Sequence, residues 1–314
     1  TLNDAMADAA SEARVEQVQI ESAQSESDFE TIASTSSGEF ALRMVQYAME
    51  AAVASSGGGG KGAIPPIELV DVCRARSERS CDVRFLLPIL NGFQKDEIIE
   101  RLPQLIGMPA DFGGFAAVLS QLFTLRTPVI PASELLVEIH RIAPSSKKAV
   151  AAAAAAAKSA AAAGAGGESA KTLVSLDSLI RATQACFDLS TVYKQDVLAV
   201  VLQKVVELNP TPLLFMRTVI QTLQLHPKLQ SFVMNILNRL IDKEVWNNTK
   251  LWEGFLRCCQ ITMPKSSVVL LRLPPQQLED ALDRCEPLRE PLRKYASQSR
   301  NVPGYLLALI AKKS

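Results

Sequence analysis

A chain of 314 residues is long enough for one large hydrophobic core or two smaller ones. Its 33 lysines and arginines balance 33 aspartates and glutamates, so no global field draws it to nucleic acid or to a membrane surface. Hydrophobic residues make up 48% but aromatics only 5%, the mixture of Leu/Val/Ala-rich helical proteins, and no apolar run reaches the ~20 residues of a membrane span.

Residues 1–40 carry nine acids against one base, a net of −8, whereas Asp242 to Ser314 carries twelve bases against eight acids, a net of +4. Residues 1–37 are rich in Ser, Glu, Ala and Asp and cannot bury enough apolar surface to offset chain entropy, so an acidic disordered segment is expected. Phe40 to Val53 reads as a helix that SSGGGGKG ends. Lys61 after four glycines is a linker feature. A phosphate-binding loop needs Ser or Thr after its lysine, and Gly62 stands there.

A first helical stretch, 38–144, continues from the Pro65-Pro66 pair. Ile67, Val70 and Cys73 share one side of a helix. Asp82 to Leu90 forms another, disturbed by Pro88. Lys95 to Leu102 is a helix that Pro103 stops, with Leu105 to Met108 continuing the packing. Phe112 to Leu125 and Ser133 to Ile142 follow, the second capped by Ser133.

The tract 145–171 is an Ala/Gly-rich low-complexity insertion: alanine favours helix, yet it offers no large side chain to anchor one. The helical pattern resumes over 172–314. Leu179, Ala182, Thr183 and Cys186 share a helix, and Val192 to Leu208 is apolar around nearly its whole circumference, which places it centrally.

Asn209 to Gln260 reads as three helices in a row. The first starts at Thr211-Pro212 and stops at His226-Pro227, because a residue before proline is pushed out of α geometry. In the second, Leu229, Phe232, Val233, Ile236, Leu237, Leu240 and Ile241 form one apolar stripe. The third carries Leu251, Trp252, Phe255 and Leu256. Val268 to Leu273 is either extended or a last helical turn, and helices at Pro275 to Cys285, Leu288 to Tyr295 and Gly304 to Ala311 finish the chain. No segment shows sustained period-two alternation. The expected fold is all-α, a HEAT-like helical-repeat solenoid of antiparallel helix pairs without a strict sequence repeat.

Residues that do chemistry are scarce. Two histidines, His140 and His226, lack partners at ligand spacing and are assigned to helix ends or the surface. Six cysteines (Cys73, Cys81, Cys186, Cys258, Cys259, Cys285) include no C-x-x-C pair, and no secretory signal opens the chain, so reduced thiols of an intracellular protein are expected. Carboxylate pairs such as Glu97 with Glu100 have the spacing of solvated helix faces. These patterns argue against an enzyme and against a cofactor, a metal, a small-molecule ligand or a membrane. The two tryptophans, Trp246 and Trp252, flank NNTK with Lys250, Arg257 and Lys265 nearby. They are either core staples of a helical turn or, with the three bases, a partner-binding ridge, since Trp and Arg are enriched at interface hot spots. Direct RNA contact is the weaker reading, since the bases here are interleaved with acids and the stacking aromatics that read single-stranded RNA are scarce.

The runs PTPLLFMRTVIQTLQ, FVMNILNRLI, KLWEGFLRCCQ and LRLPPQQLEDALDRCEPLREPLRKYA, with CDVRFLLPILNGFQKDEIIERLPQLI and SELLVEIHRI upstream, resemble the C-terminal conserved region of the symplekin family. The resemblance covers roughly Cys81 to Ala296 with one interruption, the alanine tract. It implies a nuclear, non-enzymatic scaffold of pre-mRNA 3′-end cleavage and polyadenylation. The implied partners are the endonuclease subunit of the cleavage and polyadenylation specificity factor and its inactive paralogue, with RNA contact indirect. The residues alone also fit a helical-repeat nuclear transport adaptor or an RNA-contacting helical-repeat protein.

Overall fold

The computed structural model describes residues 44–45, 65–80, 82–108, 110, 113–125, 127–162, 173–299 and 303–311. The acidic segment 1–37, the glycine-rich stretch, residues 163–171, Cys81, Phe112 and the last lysines lie outside the described residues, as does all of the Phe40 to Val53 helix except Met44 and Val45. The described chain is all-α, and its only β feature is a single bridge between Ser145 and Ser175. It divides at Phe93 into two compact units.

In the first unit, helix α1 (Ile67–Ser80) packs on a 3-10 segment, Val83–Gly92. The sequence predicts an α-helix here. Pro88 removes a donor and crowds the carbonyl four residues before it, and the tighter winding results. Asp82 caps the segment by accepting the Arg84 amide at 3.0 Å, and Phe85, Leu86, Ile89 and Leu90 are buried. The guanidiniums of Arg74 and Arg76 stand over the Phe93 and Phe85 rings at 5.7 and 5.8 Å.

The second unit starts with α2 (Lys95–Ile106), α3 (Gly114–Leu122) and α4 (Ala132–Arg141). Pro103 does not stop α2: the buried stripe of Ile98, Leu102, Leu105 and Ile106 runs past it, and that packing outweighs the lost hydrogen bond. Nor does Ser133 cap α4, because the helix starts one residue earlier, at Ala132, with Pro131 at the cap position. Helix α5 (Lys147–Ala162) is the alanine tract. Ser146 Oγ accepts the Ala149 amide at 3.2 Å, and Lys147 pairs with Asp177 at 2.6 Å.

Helices α6 (Leu176–Asp188), α7 (Gln195–Glu207), α8 (Phe215–Leu225), α9 (Gln230–Asp242) and α10 (Thr249–Ile261) build the main stack. Helix α7 touches α4, α8 and α9, the central place its apolar circumference predicts, although Val200 is exposed. Helix α8 starts at Phe215, later than the Thr211-Pro212 signal. Residues 211–214 spend that proline in a turn closed by the Phe215 amide on the Pro212 carbonyl at 3.0 Å.

Two contacts fix the direction of the stack. Arg239 meets Glu207 at 3.3 Å, and Lys243 donates to the Leu208 carbonyl and to Asn209 Oδ1, both at 2.8 Å, so the C-terminal ends of α7 and α9 lie together. Gln230 donates to the Thr262 carbonyl at 3.3 Å, bringing the start of α9 to the end of α10. Given the short connections between them, α6, α8 and α10 run one way and α7 and α9 the other. The turns after α6, α8 and α10 therefore share one edge. Helix α11 (Ser267–Leu270), α12 (Pro275–Arg284), α13 (Arg289–Gln298) and α14 (Gly304–Ala311) close the unit, so the ambiguous run at Val268 is helical.

Candidate partner-binding surface

Helix α10 carries most of the residues the sequence singles out. Asn248 caps it, its Oδ1 accepting the Lys250 and Leu251 amides at 3.1 and 3.3 Å. The inner face presents Leu251, Trp252, Phe255, Leu256, Cys258 and Cys259, all buried. At Gly254 a β-carbon would lie 2.5 Å from Met216 Cβ, so the absence of a side chain sets how closely α8 approaches.

Trp252 is only 1% exposed. Its ring stacks on Phe255 with centroids 5.3 Å apart and receives the edge of Trp246 at 6.5 Å. Its indole N–H donates to Asp280 Oδ2 at 2.7 Å. Trp252 thus presents no surface to a partner and bears on any interface only by positioning α10 against α12. Trp246, in the 3-10 turn Val245–Asn247, is half-buried.

The other candidates are on the outside. Lys250 and Arg257, seven residues apart, lie on one exposed stripe of α10 with Glu253 and Ile261, a spacing of about 10 Å along the axis. Arg257 donates to Gln260 at 3.0 Å. Lys265 is exposed in the turn beyond α10. The structure therefore brings Lys250 and Arg257 together on one face, sets Lys265 at its C-terminal end and Trp246 at its N-terminal end, and withdraws Trp252 beneath.

His140 and three of the cysteines are occupied by packing. His140 is at a helix end as the sequence predicts, but it is buried instead of surface-exposed. Its ring links α4 to α8, with Nδ1 2.7 Å from the Leu136 carbonyl and Nε2 2.8 Å from Thr218 Oγ1. The Leu136 carbonyl can only accept, so Nδ1 bears the proton, and the Thr218 hydroxyl donates to Nε2. Burial pushes the His140 pKa down to about 4 against the opposing pull of that carbonyl, leaving the ring neutral at pH 7. Burial likewise pushes the Cys186 and Cys258 thiols up to about 12 and Cys259 well above the ordinary thiol range. Protonated thiols of this kind are poor nucleophiles. Among the described residues, no cluster of three or more metal-ligating side chains forms.

Asp280 is the residue sequence reasoning missed. It lies 28 positions beyond Trp252, and only the folded pairing of α10 with α12 brings the two side chains together.

The family described as Symplekin tight junction protein C terminal matches residues 82–161 and 166–285, well over half of the chain. The match passes through most of the alanine tract and breaks only at 162–165. No solved structure matches the chain. With the main stack, α6 to α10, and the candidate residues inside the matched span, the chain belongs to the symplekin C-terminal family.

Proposed function

We propose that this chain is a non-enzymatic scaffold of mRNA 3′-end cleavage and polyadenylation, acting in the nucleus by holding the endonuclease subunit and its inactive paralogue. Family membership over 82–285 carries the reading. What supports it further is that His140 is buried and neutral and Cys186, Cys258 and Cys259 are held protonated, so that these groups serve the packing of the helices. By holding two subunits side by side, a scaffold raises their effective concentration without taking part in a bond change.

The test is capture of the C-terminal segments of the two subunits, separately and together, by the whole chain at moderate and high salt. A complex that survives high salt supports the scaffold. Capture of RNA that fades steeply with salt, with no protein complex, points to an RNA-contacting repeat protein instead. Binding that depends on a small GTPase or a localisation-signal peptide points to a transport adaptor.

A further inference from the structure

The shared edge of the stack repeats a small surface unit. Helix α8 ends in Leu225-His226-Pro227-Lys228, and α10 ends in Ile261-Thr262-Met263-Pro264-Lys265. The two Pro-Lys pairs are 37 residues apart, one helix pair of the stack. Leu225 and Ile261 are each the last residue of their helix, and they are 52% and 44% exposed, high for large apolar side chains on an all-helical surface. Both prolines and both lysines are exposed as well. Neither lysine forms an ion pair among the described residues, in contrast to Lys95 with Glu134 and Lys147 with Asp177. The Gln230 bond to the Thr262 carbonyl ties the two turns into one surface.

Along the sequence, the turns after α8 and α10 carry charge of one sign. No acid occurs from Gln224 to Ser231 or from Gln260 to Leu273. One helix pair earlier the pattern ends: Lys194 lies in the equivalent turn, but Asp188 and Asp196 flank it. The surface is thus two units deep, apolar in part and cationic throughout.

We infer that this edge docks an acidic, apolar-anchored segment of a protein partner, with Lys228 and Lys265 meeting carboxylates while Leu225, Ile261, Pro227 and Pro264 take up apolar side chains. Adjacent helices of a stack lie about 8 to 10 Å apart, and the two turns that carry the lysines are set at roughly that separation. A polyproline-II segment advances ~3.1 Å per residue with three residues per turn, so acids three residues apart fall on one side, about 9 Å from each other, and match that spacing. Protein is favoured over RNA because the edge offers apolar surface and no exposed aromatic ring for a base to stack on. The inference rests on the reading of the chain as a protein-binding scaffold and adds where, and by what chemistry, a partner is held.

The experiment titrates the whole chain with three probes: a labelled synthetic peptide carrying glutamates three apart with leucines between, a labelled uridine oligonucleotide, and the C-terminal segments of the two endonuclease-like subunits. The variants are Lys228→Glu with Lys265→Glu, and Leu225→Ser with Ile261→Ser, each checked for an unchanged melting temperature. The expected result is salt-sensitive binding of the acidic peptide, about tenfold weaker or worse in the charge-reversed variant and weaker in the serine variant. If the subunit segments bind and neither variant changes their affinity, the edge is not the docking site and the scaffold reading stands. If the acidic peptide binds at this edge and the subunit segments do not bind at all, the edge stands and the named partners fall. No binding of either, or binding of the oligonucleotide alone, overturns the inference.

Discussion

The indole N–H of Trp252 donates to Asp280 Oδ2 at 2.7 Å, fastening α10 to α12 through a buried ring and a half-buried carboxylate. Arg284 donates to the other oxygen of the same group at 2.8 Å. Partial burial of Asp280 opposes its ionisation, but the hydrogen bonds from Arg284 and Trp252 win, and its pKa lies below the usual carboxylate value. A depressed carboxylate stabilises the fold above the unfolded pKa of ~3.9, and that contribution is lost as pH falls through the folded pKa. Asp280→Asn is expected to lower stability at pH 7 by about 1.5 kcal/mol, the lower end for a bond to a charged group. The gap from the parent protein narrows in acid. Denaturant unfolding at pH 7 and pH 3 checks this; a gap that stays constant with pH would show that the charge on Asp280 contributes nothing.

His140 adds a second loss of stability on the acid side, beginning nearer to neutrality than that of Asp280. Its folded pKa of about 4 lies below the ordinary histidine value, so the unfolded chain takes up the proton first. The stabilisation is complete above pH ~6.5 and declines as pH falls from there towards 4, by roughly 3 kcal/mol in all, before levelling off. His140→Gln is expected to be less stable at pH 7, because Thr218 loses its imidazole acceptor, and to lack the decline between pH 6.5 and 4. Melting curves across that interval measure it, with parallel slopes for the two proteins as the contrary result.

Gly254 sets two effects against each other. Alanine in a helix interior is favoured over glycine by about 1 kcal/mol, but here its methyl would stand 2.5 Å from Met216 Cβ, a backbone-anchored atom that cannot swing aside. Overpacking of that kind costs about 1 to 3 kcal/mol, so Gly254→Ala is expected to destabilise. Gly304→Ala, where nothing lies within 4 Å, serves as the control and leaves stability unchanged or raised. A Gly254→Ala protein that melts higher than its parent would mean that α8 and α10 yield to one another.

What the sequence makes legible is whatever lies within one or two helical turns. The stripe from Leu229 to Ile241 and the central place of α7 are set by residues three and four apart; the stripe is buried except for half-buried Phe232, and α7 is central although Val200 faces outward. Proline is a weaker guide, because its effect is a competition. At Pro227 nothing holds the helix together and it ends, whereas at Pro103 the buried stripe continues and the helix passes through. The pairings that give the candidate surface its form are long-range. Trp252 with Asp280, His140 with Thr218 and Gly254 with Met216 join residues 28, 78 and 38 positions apart, and no local pattern announces them. Trp252 shows the consequence. A tryptophan amid lysines and arginines in sequence reads as a core staple or as a binding ridge, and its 1% exposure settles where the ring lies.

That division sets how the outer stripe of α10 should be tested. Trp252→Ala removes a buried ring and is expected to cost about 3 to 5 kcal/mol, so a loss of binding in that variant reports on folding. Lys250 and Arg257 are exposed, and their replacement leaves stability within about 0.5 kcal/mol. If they meet the partner, Lys250→Glu with Arg257→Glu weakens capture of the two subunit segments, and the loss grows at low salt, where repulsion between like charges is least screened. Combining this pair with Lys228→Glu and Lys265→Glu tells the stripe from the turn edge. Additive losses place a partner across both surfaces, while an effect confined to the turn edge leaves the α10 stripe solvated. Equilibrium binding by isothermal calorimetry at two salt concentrations, on variants first shown to melt at the parent temperature, decides between them.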